Sequence, residues 1–278
     1  MANAVRDVFV AFAPEQGKPT AAAYYAASLA RAHNALLTAR ALGVKIWQPY
    51  GLFPSVAAGY VSAANDATKE RIDQSASALA SELVGLPLST SIASMMGTQP
   101  ELAAAVSLQA RLHDLAVTDL SLALFGEGRA MIDELLFAAG RPTIVVPPGV
   151  VRFSAKTIVA AWDGGACAAR AINDALPLLA EAETVQLVCV VNEKDLARAV
   201  PGAEFAPHLD RHGVKVELVD LSPAHRDAGR AIRDHAKAVG ADMIVMGAFG
   251  HSRLRQLVLG GVTEAMLRET PAPVFFSH

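Results

Sequence analysis

The chain has 278 residues, 53% of them hydrophobic and 18% charged, with a formal net charge of -3. That length is ample for two hydrophobic cores, and a sequence pI near 6.2 lacks the basic footprint that nucleic-acid binding requires. The longest uncharged stretches, residues 46–65 and 83–100, are each broken by two prolines and two glycines, which excludes them as membrane helices; no basic segment precedes a long apolar run near residue 1, so a cytoplasmic protein is expected.

Residues 7–13 (DVFVAFA) read as a strand. Long alanine-rich helices are expected over 20–42, 62–84 and 100–115, then a strand over 118–124 (TDLSLAL) and a short one over 143–146. Gly126 and Gly128 follow the second strand, but Met131 stands where a GxGxxG pattern needs its third glycine. The turn Pro147-Pro148-Gly149 and the segment to Ser154 mark a boundary, dividing the chain into domains 1–150 and 151–278.

The second half alternates strands and helices throughout. Strands are expected over 156–162 (KTIVAAW), 185–191, 214–221, 241–246 and 274–277, with helices over 165–182, 226–239 and 261–270 and a loop with a short helix over 201–212. Near-continuous apolar strands suit a parallel sheet buried on both faces. Such alternation implies right-handed crossovers, a doubly wound sheet, and ligands at the carboxyl ends of the strands. The first half repeats the plan: residues 7–13 lie on 157–163, 118–124 on 241–247, and 136–147 on 267–278. In this register it is about eight residues shorter between the last two anchors, and the missing piece is a glycine-rich loop. The fold expected is therefore two tandem, flavodoxin-like α/β domains, each with a five-stranded parallel sheet.

That loop is the stretch richest in functional signal. An apolar strand runs into Gly247; Gly250 follows after two residues, Gly260 after nine more, then Gly261 and Thr263 at the start of a helix. Glycines let a backbone approach an anion closely, and the unpaired amides and dipole of a helix start favour negative charge. Arg253, with His251 and Arg255, either contacts phosphates or forms a solvated face. The residues resemble the universal stress proteins, whose ATP-binding members carry Gly, two residues, Gly, nine residues, Gly, then Ser or Thr. ADMIVMG before the glycines and APVFF after them also look like that family's fourth and fifth strands.

The resemblance implies an adenine-nucleotide alpha-hydrolase-like fold and ATP or AMP as ligand. Asp163, at the end of the second half's first strand, then matches an acid that members use near the nucleoside, the alternative being a turn cap before Gly164-Gly165. Val190 either flanks the adenine or is a core valine. Gly261 departs from the pattern by withholding a hydroxyl, and Ala13 stands where the first half would need its acid.

Catalytic and metal constellations are thin. Cys167 and Cys189 form no CxxC and read as buried free thiols. His208 and His212 lie four apart without a third ligand and read as a surface pair. No GxxxxGK followed by Ser or Thr, GxSxG or HExxH occurs. The functional expectation is a nucleotide-binding stress-response or signalling protein that acts by binding, with an unidentified protein partner and no nucleic acid or membrane. A scaffold without nucleotide and a slow ATP hydrolase are the alternatives. The two short terminal strands, 143–146 and 274–277, are expected to pair, making one chain mimic a dimer.

Overall fold

The structure, a computed structural model, describes residues 5–47, 54–120, 126–190, 201–221, 227–248 and 261–278. The first half runs β1 (Asp7–Phe12), α1 (Ala21–Ala32), β2 (Leu36–Val44), α2 (Pro54–Leu83), β3 (Thr90–Gly97), α3 (Gln99–Ala110), β4 (Leu115–Asp119), α4 (Gly126–Phe137) and β5 (Thr143–Val146). The second runs β6 (Thr157–Trp162), α5 (Ala166–Asp174), α6 (Leu176–Leu179), β7 (Thr184–Val190), α7 (Gly202–Arg211), β8 (Val216–Leu221), α8 (Ala228–Ala238), β9 (Met243–Gly247), α9 (Gly261–Arg268) and β10 (Val274–Ser277).

Among the described residues these strands form one ten-stranded sheet in the order β3-β2-β1-β4-β5-β10-β9-β6-β7-β8. Every pairing is parallel except the central one, β5 with β10, where Val145 faces Val274 and Ile144 faces Phe275. The expected pairing of the terminal strands is thus present, and it fuses the two sheets into one. Burial explains why these short strands pair: both are buried along their whole length, and an unpaired apolar edge would leave N–H and C=O groups without partners.

Helices cover both faces. On one face α1, α2, α5, α6 and α7 pack a single core that runs beneath both halves, from Val8 and Leu37 through Ile144 and Phe275 to Val185. On the other, α3 and part of α4 cover the first half, while α8, α9 and the rest of α4 cover the second.

The sheet corrects the reading of the first half. The helix expected over 20–42 ends at Ala32, and residues 36–44 form β2. Asn34 adopts a left-handed φ of 53° and the Ala35 amide donates to the Ala30 carbonyl at 2.8 Å, a helix stop that turns the chain into the strand. Strand β3 was also not anticipated, and β4 ends at Asp119 rather than continuing to residue 124. In the second half the helix expected over 165–182 is interrupted at Ala175 and gives α5 and α6.

The two halves share hydrogen bonds at corresponding places, in a register shifted from the one expected. Asp114 Oδ2 accepts from the amides of Arg6 and Asp7 at 2.7 and 3.0 Å, and Asp242 Oδ2 accepts from Lys156 and Thr157 at 3.1 and 2.9 Å. Ala116 N donates to Pro142 O as Ile244 N does to Pro273 O, each at 2.9 Å. Leu120 N donates to Val146 O as Ala248 N does to Ser277 O, each at 2.8 Å. Asp119 is therefore the counterpart of Gly247, not Leu124. The two are 128 positions apart, whereas Thr143 and Val274 are 131 apart, so the first half is shorter here by three residues rather than eight. The interval before the next helix does differ more, residues 120–125 against 248–260, because α4 begins earlier than α9.

Candidate functional site

In each half the third-to-fifth strand order is 3-2-1-4-5, so neighbouring connections leave the sheet in opposite directions between the first and fourth strands. In the second half this switch point lies between β6 and β9, where open α/β sheets bind ligands at the carboxyl edge. Pairing of β6 with β9 stops at Ala160–Val245, while β6 stays paired with β7 as far as Trp162–Cys189. The ends of β6 and β9 thus part just before Asp163 and Gly247.

Asp163 follows β6 and is exposed. Its Oδ1 accepts from the Gly165 amide at 2.8 Å, and Gly164 holds a φ of +73°, so the acid closes the turn that launches α5. The turn-cap reading of this residue is thus present in the structure. Alternation along β6 sends Trp162 inward to the α5–α7 face, where its ring stacks on Phe205 at 4.1 Å and 12°. It therefore offers no stacking surface at the crevice.

Gly247 has a structural cause that the sequence pattern did not disclose. A Cβ there would lie 2.6 Å from the carbonyl carbon of Cys167, 2.7 Å from the Ala168 amide nitrogen and 2.8 Å from Cys167 Cβ. Glycine at this position lets the first turn of α5 press directly on the end of β9. Cys167 sits in that contact, and burial, with the Asp163 charge second, pushes its thiol above the usual range. Val190 ends β7 and is half-buried against the core cluster on the α8–α9 face.

Gly261 is the first residue of α9; its φ lies outside the left-handed region, and among the described residues a Cβ built on it would meet nothing within 4 Å. Thr263, in the first turn, is buried with 2% exposed. Gly250, Arg253 and Gly260, with His251 and Arg255, lie outside the described residues. Of the predicted site residues that are described, Asp163 follows β6, Val190 and Gly247 end β7 and β9, and Gly261 and Thr263 lie in the first turn of α9.

The histidine pair is elsewhere, His208 on α7 and His212 at its C-terminal cap. The rings of His208 and His212 lie 4.8 Å apart, and His208 Nε2 meets Asn173 Oδ1 at 3.0 Å. Burial, then the neighbouring His212 and Arg211, holds His208 below its ordinary pKa. Among the described residues no group of three or more His, Cys, Asp or Glu side chains could hold a metal, and no helix is long and apolar enough to cross a membrane. A cleft of about 620 Å³ opens between the halves, bordered by Asp114, Arg141, Asp174 and Arg211, but it shares no residue with the candidate site.

The residue that sequence reasoning missed is Asp119. At the equivalent switch point of the first half, where β1 and β4 end, this carboxylate is 4% exposed and bonds to Thr20 Oγ1 at 2.6 Å and the Ala22 amide at 3.1 Å. Burial raises its pKa to about 6; the bonds from Thr20 and Ala22 oppose that rise and the charge of Glu15 adds to it. Its signal lay in the duplication, hidden by the shifted register.

Comparison with known proteins fits this architecture. Residues 154–278 match the model described as the Universal stress protein family. A universal stress protein of Synechocystis is 30% identical over 158 residues, which are 55% of this chain and 53% of that protein. The match thus spans about half the length of this curated relative. Among solved structures, a universal stress protein from Archaeoglobus fulgidus superposes with a TM-score of 0.66 over 97% of both chains at 13% identity. A functionally unknown protein from Pseudomonas aeruginosa PAO1 gives 0.60 at 18% identity, over 99% of this chain and 92% of that one. At these identities the structural likeness shows the fold of the full chain.

Proposed function

We propose that the whole chain is a tandem universal stress protein, with domains 1–150 and 151–278, in which the second domain binds an adenine nucleotide and acts by binding rather than turnover. The observation that carries this reading is the parting of β6 and β9 at their carboxyl ends, with Asp163 on one side and the Gly247 segment leading to α9 on the other. Asp163 and Val190 would hold the nucleoside. Gly250, Arg253, Gly260, Gly261 and Thr263 would face the phosphates of ATP or AMP. Occupancy would bias an exposed surface toward or away from a protein partner, by no more than the ligand's differential affinity for the two states.

A second reading, a scaffold without nucleotide, draws support from two local facts. Gly247 is accounted for by helix packing, and Asp163 already caps a turn. Calorimetric titration of ATP, AMP and adenosine separates the two. The nucleotide reading expects at most one site per chain, lost on Asp163→Ala with the fold intact; no heat and no rise in melting temperature with any of the three would favour the scaffold.

A further inference from the structure

The junction of the two halves has two sides, related by the same repeat that matches the Asp114 and Asp242 braces. Helices α1 and α5 start from N-caps Thr20 and Gly165, 145 positions apart, which makes Ser28 and Asn173 equivalent. Beside α1 the junction is filled from the segment that links the halves. The Phe153 amide donates to Ser28 Oγ at 3.2 Å, and the Phe153 ring packs against Tyr25 and His33 at centroid separations of 5.8 and 5.5 Å. The charge of Asp242 reaches Tyr25 on this side. Beside α5 lies instead the cleft of about 620 Å³, lined by Asn173 and by Asp114, the counterparts of Ser28 and Asp242. One side is thus plugged by an aromatic side chain, and among the described residues the other is open.

Leu115, Leu176, Leu178 and Phe275 give the cleft apolar walls, and its rim is charged but unevenly satisfied. Asp114 Oδ2 already accepts two backbone amides, and Asp174 Oδ2 accepts from Ser277 Oγ at 2.6 Å with Arg170 Nε 3.8 Å away. The cations are less engaged. Arg141, from the first half, gives its Nε to the Arg111 carbonyl at 3.3 Å, and Arg211, from the second, has no hydrogen bond or ion pair among the described residues. A guanidinium is a planar fork of donors that matches a carboxylate, and apolar clefts between domains with a few such groups are where small molecules bind. We propose that this cleft binds a small aromatic carboxylate, its ring against the apolar walls as Phe153 is held on the opposite side, its carboxylate between Arg141 and Arg211. The site belongs to the junction alone and stands whether or not the second half binds nucleotide.

Amide NMR of the full-length chain, titrated with sodium phenylacetate, tests it. Phenylacetamide keeps the ring without the charge, and sodium acetate the charge without the ring; all three are compared at equal ionic strength. Phenylacetate should shift the amides of Asn173, Asp174 and Leu178 saturably, with a Kd of about 1 mM for a ligand of this size. Phenylacetamide and acetate should each bind about tenfold more weakly or worse. Arg141→Gln combined with Arg211→Gln should reduce phenylacetate to the level of phenylacetamide and leave phenylacetamide itself unchanged. Should the double variant not fold, Arg211→Gln alone, at an exposed side chain, should weaken phenylacetate about threefold or more. Phenylacetate that shifts no amide of the cleft, that binds no better than phenylacetamide or acetate, or that binds the arginine variants as well as the wild type overturns the proposal.

Discussion

The buried carboxylate of Asp119 ties stability to pH in a direction opposite to that of most acids. Its folded pKa of about 6 lies above the ordinary value of 3.8, so the folded chain holds its proton more tightly than the unfolded chain does. The stability this group contributes is therefore complete below about pH 4 and lost as pH rises through about 6. A gap of about two units at 1.36 kcal/mol each amounts to about 3 kcal/mol, a ceiling that assumes no relaxation around the charge. Asp119→Asn removes the ionisation while an amide can still accept from Ala22 and meet the Thr20 hydroxyl, so its loss is confined to weaker neutral hydrogen bonds, about 1 kcal/mol. The variant should thus match or slightly trail the wild type at pH 4.5 and exceed it by about 1–2 kcal/mol at pH 7.5. Urea unfolding of both proteins across this range measures the difference. A difference independent of pH, or a wild type that gains on the variant as pH rises, refutes the reasoning.

Three further outcomes are expected. Gly247→Ala drives a methyl into the Cys167–Ala168 main chain, which cannot swing aside as a side chain would, and should cost about 1–3 kcal/mol by urea unfolding. Gly261→Ser adds a side chain that meets none of the described residues at a helix start; if the second half holds phosphate there, one added charge-assisted bond of about 1.5–3 kcal/mol should tighten ATP about tenfold or more by calorimetry and leave adenosine unchanged. Asp114→Ala and Asp242→Ala each release two backbone amides at equivalent places, so both should lose about 2–4 kcal/mol, and a large disparity between them would mean the two braces are not equivalent in energy.

The second half was legible in the sequence because its strands carry local signals that agree with their tertiary environment. Runs such as Ile158–Trp162 and Met243–Met246 are bounded by glycine or proline turns, and β10 matched its expected bounds. Residues 36–44 illustrate the opposite case. Leucine and alanine favour helix on propensity, yet this segment is paired on both sides, by β1 and β3, and the sheet overrides the local preference. Asn34 was the available cue, as a residue that tolerates the left-handed stop. At the site, the glycine spacing located the region but not the reasons for its members. Gly247 owes its identity to a helix that begins about eighty residues earlier, and Asp119 bonds to residues about a hundred earlier, relations that no local pattern encodes.

Because β5 and β10 belong to one chain, their union is first-order in protein. It does not dissolve on dilution, as a pair of separate chains would, and the linker keeps the effective concentration of each half for the other high. Covalent joining also relaxes a restriction that symmetry imposes. In a homodimer every substitution appears twice, so one copy cannot keep glycine at the end of its fourth strand while the other acquires aspartate. Here both occur, Gly247 in one half and Asp119 in the other, and since the central pairing is antiparallel the two switch points open on opposite edges of the sheet. One end can carry a buried carboxylate and the other a close helix contact, each free to evolve under its own constraint.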